Sequence, residues 1–361
     1  MKKATKNQPR TFIFEDKPLF GMDIGHDTLR VMQFDRKHNE SLHLRGYGSI
    51  AFDSSAIEEG VIVKPELIAK AVLTLFHKEL IGDINTKRVA VSLPASHALT
   101  RTVQLPVMSP KDIADAVYAE AEQNIPAAID DLYIDYTTLR ESQEGSEIFV
   151  VAMPKKIVDS YLVLTRMLGL EAVLFDTTID ASAQLFSHDK QSGVPSVIVD
   201  LGSKHTDIAI FSHGLVVTGT VAFGGDDITA IMVRTLGITP REAVMLKSEY
   251  GLMPSAVQKQ VRTALEPSLT VLIKEIRRTI RYYEQRYAKE PPISQVITIG
   301  GSASMPGLAE YLAEQLRLPV RPFDLTSHIE FGALRPFPQA DRTSYGTVAG
   351  LASFNPSEVF A

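Results

Sequence analysis

Two aspartates, Asp23 and Asp200, occupy matching places in two similar segments and are the residues best suited to chemistry. Each ends a short apolar run and is followed by a glycine and then by a polar turn that contains a threonine. Glycine allows close approach of the backbone, and N–H groups in such a turn can bind phosphate oxygens. Two carboxylates that face one point suit Mg²⁺ held through water beside phosphates. These residue types therefore predict a phosphate site with Asp23 and Asp200 as its metal residues.

The repetition of this pattern matters more than either copy. A single aspartate before a glycine is most simply explained as a residue that shapes a turn. Here an apolar strand, a turn and a second apolar strand occur at residues 20–34 and again at 197–211. This repetition favours an internal duplication, with the two hairpins facing each other across a cleft. The site predicted from the two turns contains Asp23, Gly25, Thr28, Asp200, Gly202 and Thr206.

A third candidate element is the glycine pair that follows the apolar run at residues 295–299. A turn without side chains can pack against a base or a ribose and can direct the next helix N-terminus at a phosphate. The signal is weak alone, but its place after the two hairpins makes it more specific. It adds Gly300, Gly301 and Ser302 to the predicted site.

The elements that must position these residues form two series in the same order. Three strands at 20–52, an amphipathic helix from 65 to about 80 and a buried strand at 88–93 are repeated after residue 194. A long helix at 268–286 belongs to the second series. The order predicts an α/β fold of two ribonuclease-H-like halves. Residues 94–172 read as a small α+β module inserted in the first half.

The composition excludes several classes of protein. The chain has 361 residues, enough for at least two domains. Its net charge of −6 argues against a nucleic-acid partner, and its lack of cysteine excludes disulfides and a thiolate nucleophile. No apolar run is long enough for a membrane span, and the N-terminus lacks a signal-peptide core. These features fit a reducing, cytoplasmic compartment.

The three motifs together resemble those of the actin-like ATPases over nearly the whole chain. Residues 23–30 and 200–206 are similar to the two phosphate loops of that superfamily, and 300–307 to its adenosine motif. The resemblance implies ATP and Mg²⁺ as cofactors and a duplicated actin-like fold. It adds further cofactor-binding residues to the site, namely Arg30, where the family usually has lysine, and Ser203, Gly224, Gly225 and Lys247.

Within that superfamily the chain is similar to the PilM family, the FtsA-like branch that assembles type IV pili. The stretches that carry this resemblance are residues 92–109, 120–126, 223–229, 273–283 and 344–352. The family implies a cytoplasmic scaffold that binds the N-terminal peptide of a PilN-like inner-membrane protein beside the inserted module. It also implies contacts with the pilus assembly and retraction ATPases, self-association, and a peripheral location at the inner face of the cytoplasmic membrane through partners.

The resemblance also supplies the domain boundaries, with nucleotide biasing closure across a hinge near residues 191–195. We predict a disordered basic tail at 1–18, subdomain 1A at 19–93, 173–193 and 336–361, a 1C-like module at 94–172, subdomain 2A at 194–238 and 293–335, and a 2B-like helical part at 239–292.

Some residues depart from the family pattern. His26 and Asp27 replace small residues, and Val244 replaces a glutamate near the ribose contact. No residue stands out as the one that positions an attacking water, so we expect at most a weak ATPase. Asp176 and Asp180 are read as surface or helix-capping acids.

Two other functions compete with this interpretation. An FtsA-like division protein is disfavoured because residues 356–361 form no basic amphipathic segment. A kinase of the actin and hexokinase superfamily is disfavoured because no catalytic base is evident in the cleft.

Overall fold

The computed structural model describes residues 17–35, 42–187, 189 and 193–355. Most of the predicted tail at 1–18, the terminal residues 356–361 and the first two residues of the expected hinge at 191–195 lie outside the described residues.

The helices and strands are numbered here in chain order. The first part contains β1 Phe20–Ile24, β2 Thr28–Asp35, β3 Leu42–Ala51, β4 Ile57–Glu58, β5 Val61–Ile62, α1 Pro65–Thr74, β6 Ile81–Gly82 and β7 Arg88–Leu93. The middle part contains β8 Leu99–Leu105, α2 Pro110–Asn124, β9 Leu132–Ser142, β10 Gly145–Pro154, α3 Lys155–Met167, β11 Glu171–Thr177 and α4 Thr178–Ser187. The last part contains β12 Ser196–Leu201, β13 Thr206–Phe211, β14 Leu215–Val221, α5 Gly225–Leu236, α6 Pro240–Glu249, α7 Gln258–Arg286, β15 Gln295–Ile299, α8 Leu308–Leu316, β16 Val320–Pro322, β17 Ile329–Glu330 and α9 Gly346–Ser353.

Two sheets share one topology, as an internal duplication requires. The first has the order β11-β7-β1-β2-β3-β17 and the second the order β14-β13-β12-β15-β16. The stretch β3-β2-β1-β7-β11 of the first sheet corresponds, strand by strand, to β14-β13-β12-β15-β16 of the second. In both, the first hairpin strand pairs antiparallel with the next strand and parallel with a later one. The strands that carry Asp23 and Asp200 are therefore topologically equivalent.

Alternation along these two strands decides which way the aspartates face. On β12, Val197, Val199 and Leu201 pack into the outer core with the helices that follow, whereas Ile198 packs into the core between the two sheets. Because side chains alternate along a strand, Asp200 shares the inner face with Ile198. On β1, Phe20, Met22 and Ile24 face the outer core beneath α1 and α3, which leaves Asp23 on the inner face.

Helices α4 and α9 lie in the layer between the sheets and approach each other very closely. A Cβ added to Gly350 would lie 1.8 Å from the carbonyl oxygen of Ala181 on α4. A Cβ added to Gly21 on β1 would lie 2.5 Å from the carbonyl oxygen of Val348 on α9. These glycines therefore set the spacing of the central layer.

The inserted module has its own three-stranded sheet, in the order β8-β10-β9, with α2 packed on it. Ser109 caps α2 by accepting a hydrogen bond from the Asp112 N–H, as its sequence predicts. Helix α3 lies inside the predicted 94–172 interval, yet its residues Ile157, Tyr161 and Leu164 belong to the outer core of the first sheet. The subdomain boundaries themselves stay predictions.

One helix differs clearly from its prediction. Helix α7 begins at Gln258 rather than at residue 268 and contains Pro267. A proline inside a helix removes a backbone hydrogen bond, so the sequence predicts that the helix begins only after Pro267. The apolar face nevertheless continues through Val261 and Leu265, both buried, and this packing stabilises the added turns.

We expect Gly350→Ala to destabilise the protein by about 3 kcal/mol, because the new methyl group would overlap the α4 backbone, which cannot move aside as a side chain can. Chemical denaturation would measure the change. Gly219→Ala is the matched control, since no atom lies within 4 Å of the added Cβ position. Equal stabilities of the two variants would contradict this description of the central layer.

Candidate functional site

The two hairpins close with the same turn. The Gly25 N–H donates to the Thr28 carbonyl at 2.9 Å, and the Gly202 N–H donates to the His205 carbonyl at 3.0 Å. A Cβ at either glycine would lie within about 3 Å of that carbonyl oxygen. The sequence reading paired the turns correctly, but the residue equivalent to Thr28 is His205 rather than Thr206.

The two turns differ in the charge that faces each aspartate. The cross-strand partner of Asp23 is Arg30, and that of Asp200 is Asp207. The first hairpin therefore offers a cation beside its carboxylate and the second offers another carboxylate. Asp207 was missed from sequence, although counting seven residues from each aspartate across the turn would have found it.

Asp23 is held in place by the neighbouring strand β7. The Ser92 hydroxyl donates to Asp23 Oδ1 at 2.7 Å and accepts from the Ile24 N–H at 3.1 Å. Arg30 lies 3.9 Å from Asp23 Oδ2. Burial raises the pKa of Asp23, while Arg30 and the Ser92 hydrogen bond oppose the rise. Ser92 is a site residue that sequence reasoning did not find.

Asp200 is held from the central layer. Its Oδ2 accepts from the Ser182 hydroxyl on α4 at 3.4 Å and from the Thr347 hydroxyl on α9 at 3.5 Å. Burial raises the pKa of Asp200 to about 7, and the nearby Asp207 and Asp23 carboxylates add to the rise. The predicted metal residues Asp23 and Asp200 thus interact across the cleft, and the second one also contacts both central helices.

The residues predicted to contact the ribose and base of the nucleotide also lie close to one another. Lys247 Nζ donates to the Gly225 carbonyl at 3.0 Å and to Thr229 Oγ1 at 3.2 Å. A Cβ added to Gly225 would lie 2.4 Å from Ser302 Oγ. Burial lowers the pKa of Lys247, and the carboxylates of Asp226 and Asp27 oppose the decrease. The structure therefore brings Gly225, Lys247 and Ser302 together, with Asp27 of the other hairpin near enough to act on Lys247.

The glycine turn before α5 is tied to the second hairpin. The Gly225 N–H donates to the Gly202 carbonyl and the Asp226 N–H donates to the Ser203 carbonyl, both at 2.9 Å. A Cβ at Gly224 would lie 2.3 Å from the Ser203 carbonyl oxygen. Gly224 therefore permits close contact between the turns, and the first N–H groups of α5 are used inside the protein.

The two glycines that follow β15 have different roles. Gly300 has φ = +94°, and its missing side chain makes room for Asp200, whose Oδ1 would lie 2.5 Å from an added Cβ. Gly301 is exposed, and its nearest neighbour at the Cβ position is Ser344 Oγ at 3.5 Å. Gly300 is thus a structural residue, and Gly301 borders open space.

The two predicted threonine hydroxyls bind within the protein. Thr206 Oγ1 donates to the Phe223 carbonyl at 2.7 Å, and Thr28 Oγ1 donates to Asp27 Oδ1 at 3.0 Å. Their hydroxyl protons are therefore used by neighbouring oxygens, and a phosphate would have to displace these bonds.

Asp176 and Asp180 lie at the start of α4. Thr177 caps α4, because its Oγ1 accepts from the Asp180 N–H at 3.2 Å, and the Asp180 carboxylate in the first turn accepts from the Thr177 hydroxyl. Burial raises the pKa of Asp180 to about 6. Asp176 is not a surface acid as expected, since it is partly buried and burial, followed by the charge of Asp180, raises its pKa well above the usual value.

The donor set fits a hydrated divalent cation better than a direct protein cage. Among residues 17–355 that the structure describes, no three acidic or histidine side chains come close enough together to hold a metal ion. Asp23 and Asp200 are both buried carboxylates with raised pKa values. A cation near them would offset the unfavourable burial of their charges, and Mg²⁺ usually keeps several waters in such sites.

The family model for "Type IV pilus assembly protein PilM" matches residues 21–353. The chain belongs to the PilM family. The cell division protein FtsA of Pseudomonas aeruginosa is 21% identical over 349 residues, which cover 84% of this chain and 82% of that protein. FtsA of Neisseria meningitidis is 20% identical over 343 residues, with coverages of 83% and 82%.

Solved structures show the same fold. A PilM–PilN type IV pilus biogenesis complex contains a chain that matches with a TM-score of 0.80 and 22% identity, covering 93% of this chain and 98% of that chain. MreB5 of Spiroplasma citri bound to AMPPNP matches with a TM-score of 0.52 and 13% identity, with coverages of 93% and 95%. The predicted actin-like fold is therefore confirmed. Within the described part of the chain, no helix has the length and apolar character that a membrane span needs.

We expect Asp200→Asn to stabilise the protein near pH 8 and to flatten the pH dependence of its stability. The pKa of Asp200 is raised from 3.8 to about 7 on folding, so the folded state binds more protons in that interval and stability falls as pH rises through it. The full shift corresponds to about 4 kcal/mol. Denaturation at several pH values between 4 and 8 would measure it.

Asp226→Asn is the control for this prediction, because Asp226 borders the same site but its side chain is exposed beside Lys204. If Asp200→Asn follows the same pH curve as the original chain, Asp200 does not carry the unfavourable buried charge.

Proposed function

We propose that this PilM-family protein is an ATP-binding, actin-like scaffold of type IV pilus assembly, with at most weak ATPase activity. The observation that carries the proposal is the pair of equivalent hairpin turns, whose buried aspartates Asp23 and Asp200 face the same central layer and both have raised pKa values. Such a pair is unfavourable without a cation, and the adjacent Gly301 borders open space for a ligand. MreB5, which shares the fold, was solved with AMPPNP bound.

Each group of site residues has a proposed part of the nucleotide to bind. Asp23 and Asp200 hold a hydrated Mg²⁺, which screens the phosphate charges. Backbone groups and hydroxyls of the two turns bind the phosphates, and these residues are Gly25, Thr28, Gly202, Ser203 and Thr206. The Arg30 guanidinium, partly exposed beside Asp23, adds a forked phosphate contact. The ribose and base lie against Gly224, Gly225, Lys247, Gly300, Gly301 and Ser302.

The proposed partner is the cytoplasmic N-terminal peptide of a PilN-like membrane protein. The support is the PilM chain of a PilM–PilN complex, which matches this chain over nearly its full length. Binding beside the inserted module would place the protein at the inner face of the cytoplasmic membrane without a span of its own. Contacts with the assembly and retraction ATPases and self-association complete the proposal and follow from the family alone.

The phosphate and ribose sides of the site can be distinguished by substitution. We expect Arg30→Gln to weaken ATP binding about tenfold, because a charge-assisted bond to phosphate contributes about 1.5 kcal/mol or more, and to leave adenosine binding unchanged. Lys247→Met should weaken both ligands alike. Isothermal titration with MgATP and with adenosine would measure both effects.

Arg262→Gln serves as control, since Arg262 forms an exposed ion pair with Glu314 in the second half. An equal loss of ATP and adenosine binding in Arg30→Gln would show that Arg30 does not contact phosphate. If the unsubstituted protein bound neither ligand, nucleotide binding itself would be disproved.

A synthetic peptide with the cytoplasmic N-terminal residues of the PilN-like protein encoded nearest this chain should bind saturably, and its affinity should change when MgATP is added. Fluorescence anisotropy of the labelled peptide would measure both quantities, with a scrambled peptide as control. No difference between the two peptides would reject the partner, and an unchanged affinity with MgATP would reject only its link to nucleotide.

A further inference from the structure

The inserted module belongs to the first half by its chain connections but also contacts the second half, and its most buried polar side-chain bonds to other parts of the protein are made there. The chain enters the module from β7 and leaves it into α3, and both elements pack in the first half. Its buried polar contacts to other parts of the protein, however, reach α7 and β14 of the second half. The module therefore joins the two halves by a route separate from the central helices.

Glu147 on β10 is the main polar link to the second half. Its side chain is only 5% exposed, and its Oε1 accepts from the Tyr287 hydroxyl at 2.8 Å and from Arg286 at 3.3 Å. Both partners lie at the end of α7. A buried carboxylate that loses its partners is strongly unfavourable, so Glu147 favours the arrangement in which the module stays on α7.

Two further groups of contacts follow the same boundary. Arg140 on β9 bonds to Glu290 beyond the end of α7, and its guanidinium lies 5.2 Å from the centre of the Tyr287 ring. On the entering strand β8, Thr100 Oγ1 and Thr218 Oγ1 are 2.6 Å apart.

Thr102 extends this strand contact. Its hydroxyl donates to the Val216 carbonyl on β14 at 2.8 Å, and its own carbonyl accepts from Arg286 at 3.5 Å. The module is thus attached to the second half through all three of its strands.

Apolar packing supports these polar contacts. Phe149 of β10 is buried in the same core as Phe211 of β13 and Leu215 of β14. Leu139 of β9 packs against the cores on both faces of the second sheet. The β13–β14 hairpin is therefore in direct contact with the module sheet.

The side-chain bonds from the module to α3 in the first half are more exposed. The Tyr133 hydroxyl donates to Asp159 at 3.1 Å, and Lys155 Nζ donates to the Asp130 carbonyl at 2.7 Å, both at the surface. Exposed contacts of this kind contribute little and are easily exchanged for water. On this side the module is held by its chain connection and by Met153 of β10, which is buried with Ile157 of α3, while its polar side-chain bonds are the weaker set.

A cavity of about 160 Å³ lies where the module entrance, the start of α4 and the β13–β14 hairpin meet. Its lining includes Ala95, Thr100, Thr177, Asp207 and Thr218. Thr100, Thr177 and Thr218 around it already bond to neighbouring side chains, and Asp207 accepts from Thr220. The cavity therefore separates the module entrance from the start of α4.

We propose that the module moves as one body with the second half, latched by Glu147, so that closure of the cleft shifts the module relative to the first half. The cause of this movement rests on the proposed function, because closure of the cleft is attributed to nucleotide binding. The latch rests on the contacts of Glu147 with Tyr287 and Arg286. Any partner bound beside the module would then sense the state of the cleft.

Distance measurements between spin labels can test which half the module follows. The chain has no cysteine, so labels can be placed at chosen pairs of exposed residues. The pair Lys111→Cys and Lys259→Cys reports the distance from the module to the second half. The pair Lys111→Cys and Lys70→Cys reports the distance from the module to the first half.

Without nucleotide, the 111–259 pair should give one narrow distance peak, and Glu147→Ala should broaden it or add a second peak. Tyr287→Phe, which removes one hydrogen bond and no charge, should cause a smaller change in the same direction. Glu314→Ala is the matched control, because it removes an exposed carboxylate within the second half. Circular dichroism would verify that each variant is folded. A folded Glu147→Ala variant with the original narrow peak would overturn the latch.

With MgAMPPNP, the 111–70 distance should shift while the 111–259 distance stays constant. A constant 111–70 distance with a shifted 111–259 distance would show that the module follows the first half, and would overturn the proposal. Titration of the same samples with a fluorescent ATP analogue measures binding independently. If no nucleotide binds, the proposed function fails, whereas the nucleotide-free measurements still decide whether Glu147 latches the module.

Discussion

The burial of two like charges on facing sheets is the constraint on which the rest of the structure depends. Asp23 and Asp200 end equivalent strands and face the same layer; burial raises the pKa of both, and the charge of Asp23 adds to the rise at Asp200. Desolvation of a carboxylate is unfavourable, so the protein surrounds each one with hydroxyl donors and leaves a cleft in which a cation can act. A metal-bound nucleotide would offset the unfavourable free energy of burying these two carboxylates.

The central helices connect this charge pair to the movement of the two halves. Ser182 on α4 and Thr347 on α9 both donate to Asp200, and the helices approach so closely that only glycine fits at residue 350. A change in the charge or ligands of Asp200 therefore acts directly on the layer between the two sheets. The module adds a second connection at Glu147, on the far side of the second hairpin. Together the two connections offer a physical route from the cleft to a surface beside the module.

The sequence by itself determined the duplicated topology, the two glycine turns and the family. Alternating apolar residues on β1 and β12 are a local signal, and Gly25 and Gly202 mark turns whose geometry depends on a few adjacent residues. Capping by Ser109 was readable for the same reason. Because these features depend only on neighbouring residues, they can be predicted without knowledge of the fold.

Only the tertiary structure decided which distant groups complete the site. Ser92, Ser182 and Thr347 reach the two aspartates from another strand and from both central helices, and nothing near them in sequence marks them as their partners. The continuation of α7 through Pro267 depended on burial of Val261 and Leu265, which outweighs a local penalty. The attachment of Glu147 to Tyr287 joins residues far apart in the chain, and such contacts follow from packing, which local sequence patterns do not encode.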